Sequence, residues 1–200
     1  MSPVLLRAAD RTDRPWKDGG GLTSEIAAWP PGADMTGFAW RVSTATVTGP
    51  GPFSRFAGVD RTLAVLSGKL DLRVAGQAAR LLTTADAPFA FAGDADCFGC
   101  PIDGPVRDLN VMVRRSSFTA AVRRVADERI LVDADDACLL VATGAAAVTI
   151  EGQAHHLGSL DALLMQPRLE GWAASIVGGG VFVTILRGAP RVQRSSVPKD

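Results

Sequence analysis

The 200-residue chain predicts an all-β fold built from two tandem barrels of the jelly-roll type. Three observations carry that expectation. Helical periodicity is scarce, and short apolar or alternating runs dominate. Gly, Pro and Asp break those runs at frequent intervals, as the turns of a sandwich or barrel require. A block of the first half also recurs in the second. Leu66-Ser67-Gly68, a strand, then Val74-Ala75-Gly76-Gln77-Ala78 and Leu81 match Ala142-Thr143-Gly144, a strand, then Ile150-Glu151-Gly152-Gln153-Ala154 and Leu157.

In chain order, the runs rich in Val, Ile, Leu, Phe, Trp and Thr place strands at 25–29, 40–47, 62–67, 69–74, 88–91, 107–114, 118–125, 130–132, 138–142, 147–150, 162–165 and 181–187. Turns fall at Gly49-Pro50-Gly51-Pro52, Ser67-Gly68, Gly93-Asp94 and Gly178-Gly179-Gly180. The repeat divides the chain into an N-terminal barrel, residues 1–120, and a C-terminal one, 121–200. Such a pair looks like two cupin domains, small barrels that hold ligands inside an open mouth. The copies are unequal. Concentrated polar chemistry lies in the first, whereas the second is mostly Ala, Val, Leu and Gly and reads as a degenerate, structural barrel.

Composition narrows the function. An apolar fraction of 47%, a charged fraction of 21% and a formal net charge of zero describe a soluble globular chain with no field to draw it to nucleic acid or an anionic membrane. The first seventeen residues show neither a long apolar core nor a small-residue cleavage site, no run approaches membrane-spanning length, and three cysteines suit no disulfide framework. A cytoplasmic location is expected. His155 and His156 are the two histidines, and as neighbours on a strand they point to opposite faces, so no metal site is expected. Cys97-Phe98-Gly99-Cys100 has half the spacing of a zinc site but no second pair to complete it. Tyr is absent, which removes the His–Tyr acid–base pair of metal-free cupin epimerases. No cofactor is expected.

Three segments concentrate the chemistry. In Trp16-Lys17-Asp18-Gly19-Gly20-Gly21-Leu22-Thr23-Ser24-Glu25, three glycines stand among stacking, charged and hydrogen-bonding side chains. Ordering them costs entropy, which suits a close backbone approach to a ligand or a tight turn. In Trp40-Arg41-Val42-Ser43-Thr44-Ala45, alternation sets Arg41, Ser43 and Ala45 on one face. In Arg107-Asp108-Leu109-Asn110-Val111-Met112-Val113, Leu109, Val111 and Val113 suit a hydrophobic layer between sheets, and Asp108, Asn110 and Met112 suit a pocket lining. Asp60 and Arg61, leading into the first repeat strand, read equally as an ion pair with another loop and as ligand contacts.

Together with GPFSRFAGVDRTLAVLSG and PFAFAGD, these motifs resemble, in order and spacing, the HutD/Ves family of bacterial proteins associated with histidine utilisation and stress responses. The resemblance spans most of the first 115 residues. It implies a bicupin with a regulatory or ligand-binding role, and no settled reaction. The expected function is binding of a small anionic metabolite in the first barrel, with a histidine-degradation intermediate such as formylglutamate or urocanate implied by the resemblance. Lys17 and Arg41 would supply charge. Ser43, Asp108 and Asn110 would orient the ligand; Trp16, Phe53 and Met112 would wall it; Gly20, Thr23, Glu25 and Asp60 complete the expected site. Two other classes stand beside this reading: a metal-independent isomerase or hydrolase using Glu25 or Asp108 as base, and an interaction protein with a vestigial pocket. The sequence is compatible with a homodimer without specifying the oligomeric state, and no nucleic-acid or membrane partner is expected.

Overall fold

The computed structural model describes residues 2–16 and 19–188. Among them the one helical element is the 3-10 turn Ala8–Asp10, and the all-β expectation holds. One sheet of eight strands runs in the order Asp13–Pro15, Gly21–Trp29, Trp40–Val47, Cys97–Arg114, Val59–Val74, Arg80–Thr83, with Gly51–Pro52 added to Cys97–Arg114 and Phe89–Ala92 added to Val59–Val74. The remaining strands form a five-stranded and a four-stranded sheet. The first is ordered Val4–Leu6, Ala162–Met165, Ala137–Ala142, Val181–Gly188, Phe118–Val125, and the second Glu128–Val132, Trp172–Gly178, Ala146–Ile150, Gln153–Leu157.

The long hairpin Val59–Val74/Cys97–Arg114 shapes the first barrel. Residues 62–67 and 69–74, expected as two strands, are one strand of 16 residues that bends at the expected break. The pairing slips on both sides of Ser67, and Gly68 (φ 82°) there packs against Pro105 and Val106, just after Asp103 (φ 59°) and Gly104 (φ 125°). Such bulges let paired strands turn a corner without losing the ladder. Residues on both sides of the bend, Leu63 and Val65 before it and Leu70, Leu72 and Val74 after it, therefore pack into a single core with Val47, Phe53, Leu82, Phe91 and Val106.

The other face of this sheet meets the second half. Leu109, Val111 and Val113, with Trp40 and Val42, pack against Leu139, Val141, Phe182 and Leu186, which is the hydrophobic layer expected of the odd-numbered row. A third core of aliphatic side chains with Trp172 lies between the five- and four-stranded sheets. The N-terminal strand Val4–Leu6 pairs with Leu164, Leu163 and Ala162, so the chain begins in the sheet of the second half and then crosses to build the first barrel. The repeat is visible in backbone conformation: Gly76 and Gly152 take φ of 79° and 78° in the turns of corresponding hairpins.

Candidate functional site in the first barrel

Strand register assembles the site. Arg41, Ser43 and Ala45 lie opposite Met112, Asn110 and Asp108 on one side, and Arg61, Leu63 and Val65 lie opposite the same three on the other. Paired residues share a face. The polar groups of three strands therefore converge on the inside of the barrel, and they are buried: Arg41 is 6% exposed, Ser43 3%, Arg61 4%, Asp108 0% and Asn110 7%. Met112, 2% exposed, joins Phe38 and Val59 in a small apolar cluster with Phe56 against it.

The two arginines differ in how their charge is met. Arg41 donates from Nε to Glu25 Oε2 at 2.8 Å and from a terminal nitrogen to Ser43 Oγ at 3.2 Å. Glu25 is partly exposed, so this pair reaches from the interior toward solvent. Arg61 donates to Asn110 Oδ1 at 3.4 Å and to the Ser54 carbonyl at 3.2 Å, neither of them charged. Its guanidinium lies 5.2 Å from the ring centres of Phe53 and Phe91 and 5.9 Å from that of Phe56. Aromatic faces compensate a cation partially. Burial pulls the Arg61 guanidinium below its ordinary value, with Asp108 and Cys97 acting in the opposite direction and Arg41 adding to the fall.

Local sequence explains the cage. Phe53 and Phe56 sit on a loop pinned by their own amides, which donate to the Cys97 and Gly93 carbonyls at 2.8 and 2.7 Å. A side chain at Gly93 would press on the Val59 carbonyl and the aliphatic stem of Arg61, so glycine there leaves Arg61 its path inward. Phe91 follows from the register that pairs it with Arg61. Arg61, which reads in the sequence equally as part of a loop ion pair and as a ligand contact, is absent from the expected site set. A signal for it exists in the alternation Val59, Arg61, Leu63, Val65, where a guanidinium occupies an inward phase of an otherwise apolar row.

Asp108 is the most unusual group. It is wholly buried, and among the described residues the Ala45 backbone N–H engages its carboxyl weakly, with no hydrogen bond of good geometry to either oxygen. Burial pushes it up to about 7, against the pull of the Arg61 charge and the Ala45 peptide.

The other expected residues fall as follows. Trp16 donates from its indole nitrogen to Thr23 Oγ1 at 2.7 Å and meets Phe53 edge-on at 6.2 Å, which closes one end of the barrel core. Gly19 and Gly20 precede the strand Gly21–Trp29, which Gly21 opens. A Cβ on Gly21 would run into the Thr46 carbonyl and the Trp16 ring, so the last glycine serves a close backbone approach. The Gly20 carbonyl accepts from the amide and hydroxyl of Thr48. Lys17 lies outside the described residues. Asp60 is half-exposed and turned away from Arg61; it pairs with Arg115 at 2.7 Å, and Asp94 joins the same guanidinium at 3.3 Å. Adjacent strand residues point to opposite faces, so Asp60 and Arg61 take separate roles.

Two clefts lie elsewhere. A groove of about 690 Å³ crosses the second half between Arg129, Leu131, Glu151 and Arg168, and one of about 180 Å³ lies among Arg11, Asp13, Ser24, Thr44, Thr46 and Arg107. Neither contains the buried polar cluster. Among the described residues no three His, Cys, Asp or Glu side chains converge as a metal-binding set. No helix among them is long and apolar enough to cross a membrane.

The family profile described as HutD matches residues 8–181. The chain belongs to the HutD family. It is 36% identical over 170 residues to an uncharacterised 21.2 kDa protein in the hutC 3′ region of Pseudomonas putida, an alignment covering 84% of this chain and 86% of that one. Protein Ves of Citrobacter koseri is 38% identical over 113 residues, 56% of this chain and 58% of Ves. Among solved structures, HutD from Pseudomonas fluorescens SBW25 (formate condition) superposes with a TM-score of 0.83 at 31% identity, covering 94% of this chain and 100% of that one. A cupin 2 conserved barrel domain protein from Leptotrichia buccalis, 8% identical with a TM-score of 0.58 over 94% of this chain and 96% of its own, shares the fold alone. The expected cupin architecture and the HutD/Ves resemblance both hold.

Proposed function

We propose that this HutD-family bicupin binds a small carboxylate metabolite inside its first barrel and serves as a cytoplasmic sensor or regulator rather than a catalyst. One observation carries the reading. Arg61 is a buried guanidinium held by aromatic faces and neutral oxygens, with no carboxylate hydrogen-bonded to it among the described residues. A cation taken out of water with no carboxylate hydrogen-bonded to it is costly, and an incoming carboxylate reduces that cost through two parallel N–H···O bonds. Arg41, already joined to Glu25, holds Ser43 and shapes the wall. This moves the anion grip expected of Arg41 to Arg61. Formylglutamate and urocanate are the acids to try first, given the family's association with histidine utilisation.

The isomerase or hydrolase reading has one observation behind it, the Asp108 carboxyl held near neutrality, where an acid–base group works best. Glu25, its other proposed base, is engaged by Arg41.

Thermal-shift and calorimetric titrations with formylglutamate, urocanate and glutamate test the proposal. A ligand at a hundredfold its Kd adds about 2.7 kcal/mol of stability, a readily measured rise in Tm. Absence of heat and of any Tm shift with all three acids would remove the anion-binding reading. Turnover of an acid, followed by proton NMR, would replace it with the catalytic one.

A further inference from the structure

Asp108 stands between Ala45 on one neighbouring strand and Val65 on the other, fully enclosed. Each of its protonation states leaves something unmet by the described residues. Ionised, it holds a buried charge with no hydrogen bond of good geometry to either oxygen; neutral, it holds an O–H without an acceptor. Native interiors seldom keep such a group unless its partner comes from outside the chain.

The surrounding groups indicate the state in which that partner finds it. Facing the same interior are Arg61, Leu63 and Val65 from Val59–Val74, Arg41 and Ser43 from Trp40–Val47, and Glu25 and Thr23 from Gly21–Trp29. Asn110 and Met112 lie on its own strand, and Cys97 near Arg61. Glu25 is joined to Arg41. Arg61 turns to Asn110 and Ser54 rather than to Asp108, so the cation and the carboxyl that this cluster leaves without an ion-pair partner remain separate.

Building on the anion reading above, we propose that Asp108 meets the bound acid as a neutral carboxyl, donating its O–H to a ligand oxygen while Arg61 takes the negative charge, so that binding above neutral pH takes up one proton. The ligand class narrows accordingly to carboxylates able to accept from a guanidinium and a carboxyl together. An amine or imidazolium end would meet Arg61 as a like charge. The position of the free Asp108 carboxyl, pushed up to about 7, agrees with this. A carboxylate oxygen at its O–H stabilises the neutral form and raises it further.

Formylglutamate is the decisive probe, because none of its own groups titrates near neutrality. Calorimetry from about pH 6 to about pH 8.5, in two buffers of different ionisation heat, should show proton uptake rising toward one and affinity falling about tenfold per pH unit above about pH 7. Asp108→Asn keeps an N–H donor but cannot titrate, so its affinity should be flat with pH and its proton uptake nil. Wild-type affinity that is flat and exchanges no proton overturns the inference, as does an Asp108→Asn variant with the wild-type slope. If the variant fails to fold, the wild-type series decides the question by itself. Binding without pH dependence leaves the anion reading standing, whereas no binding at any pH removes both.

Discussion

Asp108 in the first barrel and Asp161 in the second half are both buried, at 0% and 7% exposure, and their surroundings treat them in opposite ways. Burial would raise Asp161, but the Ala8 and Gly158 amides and the Arg7 guanidinium, at 2.8, 3.0 and 2.7 Å, more than reverse it and hold it below the usual carboxylate range. Those contacts fasten the N-terminal segment, just after the strand Val4–Leu6, to the second half. Burial raises Asp108 too, and there the Arg61 charge and the Ala45 backbone N–H offset it only in part. A buried aspartate with every oxygen engaged is part of the architecture. One without such bonds retains hydrogen-bonding capacity that the proposed ligand would use.

The two closing strands repeat the contrast. Val181–Gly188 offers Val183 and Ile185 to the core of its own half, where the corresponding strand of the first barrel, Cys97–Arg114, offers Asp108 and Asn110 inward. The second barrel has a largely aliphatic core, and the first holds a buried polar cluster in the same place.

The largest effect expected from breaking this comparison is at Arg61. Arg61→Met removes a buried cation and keeps most of the volume. Acid binding should weaken by about 2–5 kcal/mol, at least about thirtyfold, while thermal stability without ligand stays level or rises. Equal affinity for formylglutamate in variant and wild type would show that the anion is gripped elsewhere.

The two aspartates should next show opposite pH slopes. The folded-state value of Asp108 is raised, so its contribution is complete below about pH 4 and is lost as pH rises through about 7, a total of about 4 kcal/mol in the ligand-free protein. Urea unfolding should therefore find Asp108→Asn gaining on wild type across that window. Asp161 is depressed, so its contribution is present above its ordinary value and fades as pH falls below it. Asp161→Ala should cost about 1–3 kcal/mol at neutral pH, less in acid, and leave acid binding unchanged. Parallel slopes for the two variants would erase the distinction between them.

Much of the site's wall was legible because strand alternation is a local rule. The strand at 40–47 has the bounds expected, and Asp108, Asn110 and Met112 share a face with Arg41 and Ser43 as their spacing implied. Non-local features were not legible. The pairing of Val4–Leu6 with Ala162–Leu164 joins segments about 160 residues apart, and no local pattern specifies a partner at that distance. Gln153–Leu157 and Arg80–Thr83, edge strands with polar faces, lack the apolar run by which strands are found. In the sequence Arg61 reads with Asp60 as a loop ion pair or a ligand contact, and its burial follows only once Phe53, Phe56, Phe91 and Gly93 are brought around it by tertiary structure.

The smallest effect is expected one residue away, and it tests the face assignment on which the site rests. Asp60 is the immediate neighbour of Arg61, and proximity in sequence alone would place both in the pocket. In the structure it stands on the opposite face, half-exposed and paired with the exposed Arg115, whose charge it shares with Asp94. Exposed pairs of this kind contribute little because water and salt screen them. Asp60→Asn should leave formylglutamate affinity within about twofold of wild type and produce the smallest Tm change of the series, shrinking further in high salt. A tenfold or greater loss of affinity in Asp60→Asn, with the fold intact, would mean that the strand presents its acidic face to the ligand, and Arg61 could then no longer be the residue that receives it.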